Sequence, residues 1–150
     1  MGLLMIKQIV GMLILVQIIL SQQVQEGTPY SWLNGLDNTY HSINLPLVDW
    51  EAMLEEDSVK PQGTPYRYGF KHEVNYSPEN SGIWEETTDG GLLWQISFKS
   101  EDAFALSFEY DEYFIPEDGE LYIMTPDYEM VQGAYTHLNN SITKRFATPH

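Results

Sequence analysis

Cysteine is absent from the 150 residues, which excludes a disulfide scaffold, a thiolate metal site and a cysteine nucleophile. Basic residues are scarce: 7 Lys and Arg stand against 22 Asp and Glu, for a net charge of −15. Phosphate binding needs clustered Lys and Arg, so nucleic acid and anionic membrane surfaces are poor partners for this chain. The acidic surplus reads either as a solvated surface that keeps an exported protein soluble or as a face for a cation or a basic partner.

Motifs of known chemistry are missing too. There is no Gly-x-Ser-x-Gly, and Ser81-Gly82 and Ser97 fall in a predicted turn and a predicted strand. A serine nucleophile needs a base within reach, and the candidates are His41, His72, His137 and His150. No two of these have the i, i+2 or i, i+4 spacing of metal-ligating pairs, and no Asp-x-Asp-x-Asp-Gly loop occurs. Carboxylates cluster at Glu55–Asp57, Glu85–Glu86, Asp111–Glu112 and Glu117–Glu120. A glycosidase would need two of them facing each other across a cleft, whereas charge beside turns is ordinarily solvated. No catalytic, cofactor-binding or metal-ligating residue is therefore assigned, although the acidic loops leave a structural calcium ion open.

What is present is patterned. Lys7 precedes the apolar run Gln8–Leu20, and Ser21-Gln22-Gln23 follows, as in an export signal. The run approaches the length of a membrane span, but Gln8 and Gln17 interrupt it and no basic stop-transfer cluster follows. The expectation is a signal helix over 1–21, with cleavage between Ser21 and Gln25, and a secreted or cell-surface product with no membrane contact after cleavage. Residues 22–44, punctuated by Gly27, Pro29 and Gly35, read as an extended lead-in, with Trp32 and Leu33 placed to dock on a sheet.

Residues 45–150 read as one all-β domain, an antiparallel, jelly-roll-like sandwich. Leu92, Trp94, Ile96 and Phe98 share one strand face, and Phe104, Leu106, Phe108 and Tyr110 repeat the pattern after Ser100-Glu101-Asp102. This predicts a hairpin that brings Trp94 and Phe108 together. Tyr66, Tyr68, Phe70, His72 and Val74 alternate as another strand, Thr88–Gly91 and Pro116–Gly119 as turns, and Met130–Leu138 as a strand with Gly133 as a bulge or close-packing point. Asp49 is placed to cap a short helix over Trp50–Asp57, Pro46 confines Ile43–Asp49 to an edge strand or bend, and Arg145–Ala147 starts one more strand. Trp32, Trp50 and Tyr76 lie outside the strong strands. They serve either as a carbohydrate platform or as covers for the sandwich ends.

One longer pattern is more specific. Leu45-Pro46-x-x-Asp49, Glu56-Asp57, Pro65-Tyr66-Arg67-Tyr68-Gly69 and Ser81-Gly82-x-Trp84 occur in order. Gly91-Leu-Leu-Trp94, Phe114-Ile-Pro116-x-x-Gly119-x-Leu121-Tyr122 and Val131-x-Gly133-Ala134-Tyr135 follow. From about Leu45 to Pro149 this resembles the N-terminal non-catalytic β-rich domain of secreted bacterial serine endopeptidases of the lysyl-endopeptidase-like, trypsin-fold group. The resemblance implies a pro- or accessory domain that assists folding, latency or targeting of a cognate serine protease domain, in cis or in trans. In that family the triad lies in a following domain, so no catalytic role is carried over to any residue here. The expectation is then a precursor fragment or a domain that stands alone. An extracellular polysaccharide- or polymer-binding module is the competing expectation, and a small carboxylate hydrolase a third.

Overall fold

The computed structural model describes residues 27–36 and 42–149. The export-signal region, His41 and His150 lie outside the described residues. The fold is β-rich, and the chain divides into two compact units, one of Thr39–Phe104 and one of Met1–Asn38 with Ala105–His150.

In the Thr39–Phe104 unit, β1 (Ile43–Asn44) precedes α2 (Trp50–Ser58), and β2 (Ile83–Glu86), β3 (Leu92–Gln95) and β4 (Phe98–Lys99) follow. The helix starts where a cap allows it: Asp49 Oδ1 accepts the Ala52 amide at 3.0 Å, satisfying a donor that the first turn leaves open. β2 and β3 form an antiparallel hairpin with Trp84 opposite Trp94. Its loop closes through the Thr87 amide on the Gly91 carbonyl at 2.9 Å, and Gly90 takes φ +87°. The Thr88–Gly91 turn is thus where its residue types place it. Both indoles are anchored, Trp84 Nε1 to the Pro78 carbonyl at 2.9 Å and Trp94 Nε1 to the Ser81 carbonyl at 2.8 Å. β1 pairs with β4 in parallel, Ile43 opposite Phe98 and Asn44 opposite Lys99.

In the other unit, a first helix, α1 (Tyr30–Leu33), is followed by β5 (Glu109–Tyr110), β6 (Leu121–Met124), β7 (Val131–Tyr135), a 3-10 turn (His137–Asn139) and β8 (Phe146–Ala147). β6 and β7 are antiparallel with a register shift between Leu121 and Ile123. Opposite that shift Gly133 has φ +123°, and a Cβ there would sit 2.6 Å from the Leu121 carbonyl oxygen. The close approach anticipated at Gly133 is real, and only glycine meets it. β8 pairs with β5, Phe146 opposite Tyr110. The buried hydrophobic residues among those described are Tyr113, Ala134 and Tyr135, all in this unit.

The ladders depart from the predicted pairing in three places. The Leu92–Lys99 run does not form a hairpin with 104–110: β3 pairs with β2 across the expected Thr88–Gly91 turn, while β4 pairs with β1 and β5 with β8. Alternation said nothing of partners, so Trp94 faces Trp84 while Phe108 N donates to Thr148 Oγ1 at 3.0 Å. Tyr66–Val74 carries no regular strand. Within the lead-in, Pro29 and Ser31 are buried and a helical turn replaces extended chain, because the Leu33 amide reaches the Pro29 carbonyl at 3.1 Å. The ladders are four two-stranded sheets, one of them parallel.

Candidate functional site

The Thr39–Phe104 unit presents an open groove of about 600 Å³ between residues 44–47 and residues 70–76. Two short segments make its walls. The β1 ladder ends before Pro46, after the Leu45 amide has reached the Lys99 carbonyl at 2.8 Å. Beyond the Pro61–Pro65 connector the chain runs without regular secondary structure past Tyr66, Tyr68, Phe70, Val74 and Tyr76, which are 97%, 86%, 54%, 53% and 41% exposed. Phe70 meets His72 edge-on at 4.9 Å, and Tyr76 leans on Phe98 at 5.3 Å, which ties one end of this wall to β4.

Electrostatics hold the start of the strip. Arg67 reaches Glu56 at 2.9 Å and Asp57 at 3.3 Å on α2, and Lys60 reaches Asp57 at 2.5 Å. The hydrogen bond from Lys60, with Arg67 close by, holds the Asp57 carboxyl below the usual carboxylate range. Lys71 pairs with Glu73 at 3.3 Å. Three of the unit's cations are therefore matched by its own carboxylates, and the surface left around them is acidic.

The three candidate aromatics divide between the two units. Trp32, in the other unit, stacks on Tyr128 at 5.4 Å and 18°, and it is half exposed. Trp50 opens α2 and is 56% exposed, but it is not part of the groove, whereas Tyr76 is. His72 lies in the groove and His137 starts the 3-10 turn. His41 and His150 are outside the described residues. Among the described residues no group of three or more His, Cys, Asp or Glu is placed to hold a metal ion, and no helix is long and apolar enough to cross a membrane.

A second cluster, in the other unit, is a packing core. Phe146 stacks on Tyr113 at 4.3 Å and meets Tyr135 at 5.0 Å, while Tyr110 meets Tyr113 edge-on at 5.7 Å. Burial pushes the Tyr113 phenol up to about 12 and the Tyr110 phenol higher than its ordinary value, so both are neutral near pH 7. The groove residues Leu45, Leu47 and Phe70 were not singled out from sequence as binding residues. Phe70 belongs to the Tyr66–Val74 alternation, which predicts a paired strand that the structure does not form. No family model matches the chain, and no solved structure matches it.

Proposed function

We propose that the chain is a non-enzymatic pro- or accessory domain, exported with a secreted serine endopeptidase of the lysyl-endopeptidase-like group, that docks on that peptidase and assists its folding, latency or targeting. One observation carries the docking role. The Thr39–Phe104 unit contributes none of the fully buried hydrophobic residues among those described, yet it turns Leu47, Trp50, Leu54, Tyr66, Tyr68 and Phe104 largely to solvent. This number of exposed large apolar residues supports the reading that a protein partner covers them. The order of residues from Leu45 to Pro149 that resembles the peptidase leader domain supplies the partner class. In this reading the short strands belong to a jelly-roll-like sandwich that is antiparallel except for the β1–β4 pair.

An acidic accessory domain meets a basic partner surface, and such attraction raises encounter rates and falls with salt. The test is calorimetric titration of the full chain into the lysyl-endopeptidase-like peptidase made by the same cell, at two salt concentrations. A saturable complex that weakens as salt rises is expected. Absence of a complex, together with retention on an extracellular polysaccharide that Trp50→Ala abolishes, would transfer the function to a polymer-binding module.

A further inference from the structure

Tyr66–Val74 is strand-like chain without a ladder. The Phe70 and His72 rings lie 4.9 Å apart, and Lys71 meets Glu73 at 3.3 Å. Two interleaved contacts between residues two apart need side chains that alternate between opposite faces, as in extended backbone and not in a helix. One face is apolar, with Tyr66, Tyr68, Phe70 and Val74 exposed beside His72, and the other carries Arg67, Gly69, Lys71 and Glu73. Among the described residues, the backbone of Arg67, Gly69, Phe70, His72 and Glu73 makes no hydrogen bond within the chain. Unpaired chain of this kind is a template for another strand.

We propose that this strip pairs with the same strip of a second copy, antiparallel about Phe70, so that the free chain forms a twofold dimer. The strip is complementary to its own reverse when it overlaps itself fully. With Phe70 opposite its own copy, Tyr68 lies opposite His72 and Tyr66 opposite Val74, which joins the two apolar faces, while Arg67 lies opposite Glu73 and Lys71 opposite Gly69. A shift of two residues sets Arg67 against Lys71 in one direction and Lys71 against its own copy in the other, and a shift of one sets apolar against charged side chains. The in-register parallel pair, the parallel arrangement with twofold symmetry, stacks every charge on itself. Among the described ion pairs Arg67 holds Glu56 and Asp57 through Nη2 alone, and the Glu73 side chain is 80% exposed, so each keeps capacity for a cross-strand partner. The dimer goes beyond the docking reading and stands without it, although a peptidase that covers Tyr66 and Tyr68 would displace the second copy.

The chain has no cysteine, so introduced thiols report the register. Directly opposite residues of an antiparallel pair have Cα atoms about 4.5–5.5 Å apart, within disulfide reach, whereas Tyr66 and its own copy lie at opposite ends of the pairing, about 27 Å apart. Under oxidising conditions the full chain with Phe70→Cys should form a covalent dimer by itself. Tyr66→Cys and Val74→Cys should do so when mixed and not alone. Sedimentation of the unsubstituted chain should show a reversible dimer in salt high enough to screen the repulsion between two chains of net charge −15. Phe70→Lys, which sets two cations face to face, should weaken that dimer about tenfold or more with the far-ultraviolet dichroism unchanged. A chain that stays monomeric up to millimolar concentration, or thiols that cross-link equally at every position, overturns the proposal. So does a strip whose amides gain protection from exchange only when the peptidase is added, which assigns it to the peptidase alone.

Discussion

At Gly82 the backbone carries φ +79°, and a Cβ there would lie 2.6 Å from the Gln95 carbonyl oxygen and closer still to the Trp94 indole nitrogen. Gly82→Ala therefore combines a left-handed conformation with a clash against β3, and it should destabilise the fold by about 1–3 kcal/mol. Gly69 has open space around it and no positive φ, so Gly69→Ala should leave the denaturation midpoint unmoved or slightly raised. A shared response of the two variants would contradict the placement of Gly82. Tyrosines give a second residue-level prediction. The Tyr113 and Tyr122 phenols stand at about 12, each raised first by burial, against an ordinary value near 10. A folded value above the unfolded one means that these phenols contribute fully below about pH 10 and lose their contribution as pH rises through about 12. Absorbance titration should show part of the 10 tyrosines ionising late, together with loss of structure. A single ionisation step near pH 10 with the fold intact would contradict it.

Among the elements, α2 depends on its cap. Asp49→Ala removes the acceptor of the Ala52 amide and should cost about 1 kcal/mol, read as a lower denaturation midpoint and reduced helical signal. The cap, the Thr88–Gly91 turn and the Pro116–Gly119 turn were legible because each is set by residues a few positions apart, and the tightness at Gly133, set across the ladder by Leu121, was signalled by the glycine itself. Pairing was not legible. Side-chain alternation fixes which face a residue takes, but the partner of a strand is decided by contacts distant in sequence. So Glu109–Tyr110 found Phe146–Ala147 and Ile43–Asn44 ran parallel to Phe98–Lys99, whereas the hairpin of Ile83–Glu86 and Leu92–Gln95 followed from its local turn. The Tyr66–Val74 alternation has the period of a half-buried strand, but no partner strand reaches it and its aromatic residues stay exposed. Tyr76 alone among the aromatic candidates was legible as part of the groove.

For the whole molecule, composition and fold bear on the same function. A chain of net charge −15 without cysteine carries a unit that leaves Leu47, Trp50, Leu54, Tyr66, Tyr68 and Phe104 largely exposed, which fits the proposed docking role. Exposed attractions are screened within a Debye length of about 8–10 Å near physiological salt, so docking should weaken as salt rises without vanishing, because apolar burial is not screened. The most direct measurement is refolding of the denatured peptidase domain with and without the full chain in trans, followed by peptidase activity. The account predicts a changed outcome in the presence of the chain: a higher yield of folded peptidase or inhibition relieved on its removal, with Tyr66→Ser/Tyr68→Ser reducing the effect while the chain stays folded. Equal yield and equal activity in both arms, with no complex formed, would contradict it.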